Sequence, residues 1–217
     1  MTAVLPHRMA KLPVDKHGRP VPWFVAWIDG KPDFRVIGPG KVADAINFER
    51  CWLCGQHRGR YSTFVIGPMC AVNRISAEPP SHGDCAVYAA QACPFLTTPN
   101  MRRRDSGKPE GTSEPAGTMI RRNPGVTLLW TTRDFKIVGA DDGYGKPTSG
   151  PLFQLGDPTS VGWFAEGRTA NRDEVLASIE SGLPLLRESA ENESDAAVAE
   201  LERRTDIAMQ SIPGDRP

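Results

Sequence analysis

The chain lacks any apolar run close to the roughly 20 residues that a bilayer-spanning helix needs. Its N-terminal stretch also lacks the apolar core of a secretory signal. Both absences favour a soluble, cytoplasmic protein, in which cysteines stay reduced rather than forming disulfides. Hydrophobic residues make up only 39% of the 217 residues, so a small core would gain much from an additional staple.

Histidine is scarce too, and this limits the enzyme classes that fit. The chain has four histidines, and no stretch resembles a nucleophile elbow. Segment 139–146 is superficially similar to a phosphate-binding loop, but five residues rather than four separate Gly139 from Gly145. Pro147 then stands where a magnesium-binding Ser or Thr would be needed. We therefore expect no nucleotide site there and a non-catalytic protein.

Four chelating side chains fall into two closely spaced pairs. Cys51 and Cys54 form the first pair, and His82 and Cys85 form the second, with 27 residues between the pairs. Each spacing lets a tight turn or a first helical turn direct both side chains at one point. Two such pairs suit one tetrahedral zinc ion. Four protein ligands leave no open position for water, so this zinc would be structural.

Other cysteines and histidines leave one ligand position open. Cys70 lies in an apolar run that predicts a buried strand, and Cys93 lies too far along the following helix. Both are typical of small core residues. His57 is the main rival to His82 as the third ligand. If Cys70 were the remaining ligand instead, His82 would be released for other chemistry.

Three further stretches accompany the first pair: GPMCAVN at 67–73, EPPSHGDC at 78–85 and WFAEGR at 163–168. With them, the chain resembles a group of bacterial and phage-encoded proteins to which no activity is assigned, over much of residues 10–210. A zinc knuckle, a hairpin and a helix that supplies the last two ligands are the parts of a treble-clef zinc finger, which residues 51–95 resemble. Treble clefs serve nucleic-acid binding, protein binding and nuclease chemistry, so the resemblance implies no particular activity.

The net charge of zero hides an asymmetry along the chain. Residues 1–150 contain 20 Lys and Arg against 13 Asp and Glu, whereas residues 151–217 contain 6 against 13. Clustered arginines neutralise phosphates and release counterions, so the densest basic cluster predicts contact with DNA or RNA. The acidic end predicts solvated helix faces, or a segment that covers the basic part. The basic cluster consists of Arg102, Arg103, Arg104, Arg121 and Arg122.

Hydrophobic periodicity and turn residues predict an α+β fold: a treble-clef-like zinc centre with small antiparallel β-hairpins and a C-terminal helical segment. Asn171 and Glu174 predict a capping box for a helix to Ile179, which Gly182 would end and Pro184 would follow with another. Strands are predicted at 21–28 with 34–37, at 61–66 with 70–75, and at 126–131, 135–138, 152–155 and 161–165. Helices are predicted at 41–50, 84–95 and from 196 onward.

These elements divide the chain into six segments. They are an N-terminal arm (1–20), a zinc-stabilised α+β domain (21–100), a basic flexible loop (101–125), a β-rich segment packing on the zinc domain (126–170), C-terminal helices (171–212) and a disordered end (213–217).

The sequence as a whole predicts a zinc-stabilised binding protein of a bacterium or phage that contacts nucleic acid through the basic cluster. The first alternative is an adaptor or inhibitor that docks a protein partner through hairpin aromatics or the C-terminal helices. The second is a His-Asn-His-like nuclease with His82 as its base, although residues 58–81 contain no histidine for the hairpin position.

Overall fold

A computed structural model of the chain describes residues 3–104, 106–107, 122–139 and 150–214. Nine strands and six α-helices lie within these ranges. The strands are β1 (Val25–Ile28), β2 (Lys31–Ile37), β3 (Ser62–Ile66), β4 (Ile75–Ser76), β5 (Thr127–Thr132), β6 (Phe135–Val138), β7 (Leu152–Leu155), β8 (Pro158–Ala165) and β9 (Arg168–Thr169). The helices are α1 (Lys41–Asn47), α2 (Pro68–Asn73), α3 (Gly83–Ala92), α4 (Pro94–Thr97), α5 (Arg172–Glu193) and α6 (Asp195–Met209).

The strands form three antiparallel sheets. One is the β1–β2 hairpin, the second has the order β3-β5-β8-β9, and the third has the order β4-β7-β6. The predicted mixture of helices and antiparallel sheets with a C-terminal helical segment is therefore confirmed. No helix among the described residues is long and apolar enough to cross a membrane.

The predicted first hairpin is present, with a tighter turn than its sequence indicated. Asp29 and Gly30 both have positive φ, 49° and 72°, which is the conformation of a two-residue type I′ turn. Ile28 therefore pairs directly with Lys31, and β2 begins at Lys31 rather than at residue 34. Pro32 is tolerated because, among the described residues, this ribbon has two strands and no third strand that would need the missing N–H.

The second predicted hairpin, 61–66 with 70–75, is wrong. Strand β3 pairs instead with β5, from Ser62 opposite Thr132 to Ile66 opposite Leu128. The chain after β3 turns into helix α2, which has an extended N-cap at Gly67 and Pro68 in its first turn. The buried side chains of α2 pack against α5 and α6, so tertiary contacts outweigh the β-propensity of this apolar run.

The main core joins two of the sheets through aromatic side chains. The rings of Phe64, Phe135 and Phe153 lie 5.5 to 6.2 Å apart, in edge-to-face and tilted arrangements. Trp163 is buried in the same cluster, and its indole N–H donates to the carbonyl of Ser211. Core packing therefore holds β3 and the segment leading into it in a fixed position.

The prediction of two helices separated at Gly182 is also wrong, because α5 runs unbroken through Gly182 and Pro184. A Cβ at Gly182 would lie 2.8 Å from Cγ and Sδ of Met69, so glycine permits the close approach of α2 rather than ending the helix. Pro184 is exposed, and the Glu180 carbonyl that loses its partner lies on the exposed side as well. The predicted capping box of Asn171 and Glu174 is confirmed.

Smaller differences concern helix ends. The predicted helix 84–95 divides at Pro94, since Cys93 before it is extended and α4 starts at the proline. Helix α1 ends at Asn47 rather than at residue 50. Three predictions fall on residues outside the described ranges: the rejected phosphate-binding loop, most of the basic loop, and the end of the chain beyond residue 214.

Candidate metal centre

Four side chains predicted to act together are brought together in the structure. The Sγ atoms of Cys51, Cys54 and Cys85 and a ring nitrogen of His82 all lie within 4.8 Å of one another. Both Cys51 and Cys85 are completely buried, and Cys54 and His82 are 7% and 8% exposed. The group therefore combines the spacing and the burial of a metal site.

The first pair is held by a tight turn. The Gly55 N–H donates to the Cys51 carbonyl at 2.8 Å, and the Cys51 N–H donates to the Gln56 carbonyl at 2.7 Å. Gly55 has φ of 73°, a conformation that glycine adopts without steric cost. The Arg50 guanidinium donates to the Gly55 carbonyl at 2.9 Å, which fixes the turn from outside. Both thiols consequently point to the same side.

The second pair is supplied by the beginning of α3. His82 is the extended N-cap residue, and its carbonyl accepts the N–H of Ala86 at 2.9 Å. Cys85 follows in the first helical turn, where the helix dipole favours a negatively charged sulfur. Ser81, just before the pair, exchanges two backbone hydrogen bonds with Thr63 of β3. These bonds attach the start of α3 to the four-stranded β3-β5-β8-β9 sheet.

A backbone group orients the His82 ring. Its Nε2 lies 2.9 Å from the carbonyl oxygen of His57, which can only accept, so Nε2 carries the proton. The unprotonated Nδ1 then faces Sγ of Cys54 at 3.4 Å and Sγ of Cys85 at 4.0 Å. A metal-binding histidine normally has its second nitrogen fixed in this way.

The three sulfurs strongly influence one another's ionisation. Hydrogen bonds from the thiols of Cys54 and Cys85 lower the pKa of Cys51. The hydrogen bond with Cys51 raises the pKa of Cys54 to about 11, and a bond with the same sulfur raises the pKa of Cys85. Once one of the three thiols is a thiolate, the other two lose their protons less readily, since like charges repel at this distance. A bound cation would remove this obstacle.

The separations between the side chains fit a tetrahedral metal. Metal–sulfur bonds of about 2.3 Å and metal–nitrogen bonds of about 2.05 Å place sulfur and nitrogen ligands roughly 3.6 Å apart on a tetrahedron. Two of the three sulfur–nitrogen distances in the group, 3.4 Å for Cys54 and 4.0 Å for Cys85, lie on either side of that value. Soft thiolates with one imidazole are also the donor set that zinc and similar transition metals prefer.

The N-terminal arm covers the centre, although its sequence showed little pattern. Met9 is 2% exposed and packs against the cysteines, together with Leu12. Arg8 forms an ion pair with Asp84 of α3 at 3.0 Å, and its carbonyl accepts from the side chain of Gln56. The spacing of Met9 and Leu12 is the only feature of the sequence that indicates an arm covering the cysteines. The backbone carbonyl of His57, which orients the His82 ring, has no sequence signal at all.

The rival ligands lie elsewhere. Cys70 belongs to α2 and packs against the main core, where burial raises the pKa of its thiol to about 11. Cys93 is the C-cap residue of α3. The His57 ring is exposed and lies 3.1 Å from the carboxylate of Glu49. Among the described residues, none of the three belongs to the group of potential ligands.

The basic cluster is only partly within the described ranges. Arg102, Arg103 and Arg104 are exposed, and Arg102 pairs with Arg122 in an antiparallel bridge at the base of the loop. The Arg122 guanidinium donates to the hydroxyl of Ser181 on α5 at 3.1 Å, and the Arg103 guanidinium lies 5.1 Å from the centre of the Phe95 ring. Arg121 lies outside the described residues.

Comparison with protein-family models, with curated proteins and with solved structures gave no match to the chain. The class of site is therefore defined by its own geometry, which is that of a buried group of three cysteines and one histidine able to hold one metal ion.

Proposed function

We propose that one zinc ion staples the fold and has no catalytic role. The observation that carries this proposal is that four buried donors surround one point. With all four tetrahedral positions taken by protein, no position remains for a water molecule or a substrate. The zinc would stabilise the structure by tying the knuckle to the start of α3.

The centre is treble-clef-like in this proposal. A knuckle at 51–54 leads to β3, the chain returns at Ser81 beside Thr63, and the first turn of α3 supplies the last ligand. Helix α2 lies between β3 and the returning segment at Ser81, whereas a simple treble clef has a short hairpin turn at this place. The resemblance to bacterial and phage-encoded proteins stays a prediction.

On this stapled scaffold, the protein binds nucleic acid through Arg102, Arg103 and Arg104. All three are exposed, and in the described part of the chain none forms an ion pair with a carboxylate. The base of the loop is held by Arg35 of β2, which donates to the carbonyls of Ser106 and Gly107 at 2.9 and 3.1 Å. A basic loop on a rigid base can contact phosphates without a large ordering cost.

The salt dependence of binding tests this proposal. We expect the affinity for a DNA or RNA oligonucleotide to fall steeply as salt rises, because phosphate contacts release counterions. Replacing Arg102, Arg103 and Arg104 by alanine should reduce the slope of log affinity against log salt by about 1 for each phosphate that the protein no longer neutralises. Filter binding over a salt series measures this.

A matched control removes the same charge from other exposed positions, Lys11, Lys16 and Lys31. We expect this variant to keep most of the wild-type slope, since only the local contacts differ. Absence of binding at low salt, or equal slopes for the two triple variants, would contradict nucleic-acid binding by this loop.

A second candidate function is docking of a protein partner on the β1–β2 hairpin. Trp27 and Phe34 are each 47% exposed. Trp27 lies opposite Pro32, and Phe34 begins the irregular stretch between the paired residues Asp33 and Ile37, so both rings belong to the same hairpin. Exposed aromatic side chains are typical anchors of protein interfaces.

A pull-down experiment with nuclease treatment distinguishes nucleic-acid binding from docking of a protein partner. An adaptor would retain one specific protein after nuclease digestion, and would lose it when Trp27 and Phe34 are replaced by serine. Loss of every partner on digestion would instead favour nucleic acid. We do not propose a nuclease, because that alternative required Cys70 among the ligands and a free His82, whereas His82 lies within the group.

A further inference from the structure

A cleft of about 720 Å³ lies next to the knuckle, where His57 and Arg58 form part of its lining. Its walls come from α1, from the segment that links the knuckle to β3, and from the turn between β5 and β6. The lining is mixed: the apolar side chains of Ile46, Pro80, Phe135 and Phe153 lie among polar and charged ones. A volume of this size suits a small organic molecule.

Arg58 stands in this wall without a polar partner. Its side chain is buried, with the residue 8% exposed, and its Nε has no hydrogen-bond partner within the described part of the chain. The guanidinium carbon lies 5.3 Å from the centre of the Phe135 ring, and burial lowers the pKa of the group. The charges of Glu49 and Cys51 act on the guanidinium in the opposite direction and raise its pKa, but neither residue forms a hydrogen bond with it among the contacts of the described residues.

A buried guanidinium without a hydrogen-bonded anion is costly, because the ring of Phe135 and the more distant charge of Glu49 replace only part of the lost hydration. Arginine has five N–H donors in a fixed planar arrangement that matches two oxygens of a phosphate or carboxylate. An arginine that lines a cleft and has no hydrogen-bonded carboxylate among the described residues is therefore suited to an anion from outside.

The rim of the cleft adds further charges. Arg60 and Arg133 are exposed at its edge, and the Arg133 guanidinium donates to the Tyr61 hydroxyl at 3.0 Å. Two carboxylates also line the cleft: Glu49, which lies 3.1 Å from the His57 ring, and the exposed Asp134. Three guanidinium groups against two carboxylates leave an excess of one positive charge.

We propose that this cleft binds a phosphorylated small molecule of nucleotide size, with its phosphoryl group on Arg58. Several guanidinium groups at different depths suit a tetrahedral phosphate, which offers oxygens in several directions, better than a planar carboxylate. The apolar side chains of the lining would receive the organic part of the ligand. Arg58 is too deeply buried for the backbone of a nucleic-acid duplex to reach it, so this site is distinct from the basic loop.

The metal centre supports the cleft in this arrangement. The carbonyl of His57, the residue before Arg58, accepts the hydrogen bond from the His82 ring at 2.9 Å. On its other side, the Arg58 N–H donates to the carbonyl of Glu49 at 2.8 Å. Because its backbone is fixed from both directions, the binding arginine is held in place before the ligand arrives.

Isothermal titration calorimetry on the metal-loaded full chain at low salt tests the proposal. The probes are inorganic phosphate, a nucleoside monophosphate, acetate as a carboxylate, and an oligonucleotide that has no terminal phosphate. We expect saturable binding of the nucleoside monophosphate with a dissociation constant below about 1 mM, weaker binding of inorganic phosphate and none of acetate. The Arg58→Met variant keeps the apolar stem and should lose at least tenfold in affinity.

Two further variants make the result specific. Alanine at Arg102, Arg103 and Arg104 should leave the binding of the monophosphate unchanged, so failure of the loop proposal and failure of this one are distinguishable. Arg133→Gln at the rim should weaken binding less than Arg58→Met does. Without ligand, Arg58→Met should be at least as stable as the wild type, because an unpaired buried charge is replaced by an apolar side chain.

Several outcomes would overturn the proposal. They are no saturable binding of any phosphate probe, equal affinity for acetate and phosphate, binding of the oligonucleotide alone, and unchanged affinity in Arg58→Met. A marked loss of stability in unliganded Arg58→Met would do the same, since it would show that the arginine serves the fold.

Discussion

Gly55 is the residue on which the conformation of the knuckle depends most directly. Its φ of 73° is unfavourable for residues with a side chain, and a Cβ there would lie 2.5 Å from Cδ1 of Trp23. Trp23 in turn donates its backbone N–H to the Leu53 carbonyl inside the knuckle. Glycine therefore allows an aromatic ring to close over the turn that presents Cys51 and Cys54.

We expect Gly55→Ala to destabilise the metal-loaded protein by more than the roughly 1–2 kcal/mol that a positive φ costs an alanine. The additional loss comes from the overlap with Trp23. Gly18→Ala is the matched control, because Gly18 has φ of 74° and open space where its Cβ would lie. Urea unfolding at fixed metal concentration measures both, and equal losses would contradict a steric role for Trp23.

At the scale of elements, α5 is fastened at its start by a small polar network. The Asn171 side chain accepts from the Glu174 N–H at 2.9 Å, and the Glu174 carboxylate accepts from the Asn171 N–H at 2.8 Å. The same carboxylate receives two bonds from the Arg168 guanidinium at 2.5 and 3.0 Å. The hydrogen bond from Arg168 lowers the pKa of Glu174 below its ordinary 4.5.

This network predicts a pH-dependent effect of Glu174→Gln. Because the carboxyl group has a lower pKa in the folded state, its stabilisation is present above pH 4.5 and is lost as the pH falls through the folded value. We expect the variant to be less stable at neutral pH and to approach the wild type in acid. Glutamine can still complete the capping box, so the difference reports the charge.

Glu191→Gln on the same helix is the control, since Glu191 is exposed. Thermal unfolding between pH 3 and pH 7 should show little pH-dependent difference for it. A constant deficit of Glu174→Gln at every pH would contradict the role given to the ion pair.

The elements that the sequence predicted well are those fixed by local chemistry. The paired ligands, the capping box at Asn171 and the strands at 135–138 and 152–155 all have short-range signals in turn residues and periodicity. Helix α2 and the unbroken α5 could not be predicted in this way. Both depend on the contact between Met69 and Gly182, two residues that are far apart in the sequence. From the sequence alone, Gly182 therefore looks like the end of a helix, although in the structure it allows α2 to pack closely against α5.

Within the site, the ligand side chains were predictable and their surroundings were not. Spacing alone indicated Cys51, Cys54, His82 and Cys85, whereas the carbonyl that orients His82 comes from a backbone position that any residue could supply. Similarly, Arg58 looked like any other arginine of the basic half. Its burial follows only from the pairing of β3 with β5 and the turn to β6, which brings Phe135 over it.

At the scale of the whole molecule, the described residues form two larger cores and a small third cluster, in which Ala86 and Ala90 of α3 pack with Leu129 of β5 and Val65 of β3. One core is built around the cysteines and is closed by the N-terminal arm, and the other lies between the sheets and the C-terminal helices. The arm contributes Met9, which is almost fully buried over the sulfurs. We therefore expect the arm to limit how easily water and chelators reach the metal centre.

We expect Met9→Ala to release metal faster to a coloured chelator and to lower stability by about 2–5 kcal/mol, the usual loss for a buried methionine. Absorbance of the chelator complex gives the rate of release. Val4→Ala is the control, because Val4 is 84% exposed on the same arm. Identical release rates in the two variants would contradict a protective role of the arm.

The metal content of the purified protein tests the central claim most directly. Elemental analysis after dialysis against chelator-free buffer should return one zinc ion per chain for the wild type and for Cys70→Ser. Cys85→Ser should bind no stoichiometric metal and lose cooperative unfolding, because the knuckle is then untied from α3. A wild-type chain that folds without any stoichiometric transition metal, or a Cys70→Ser variant that loses it, would contradict the account.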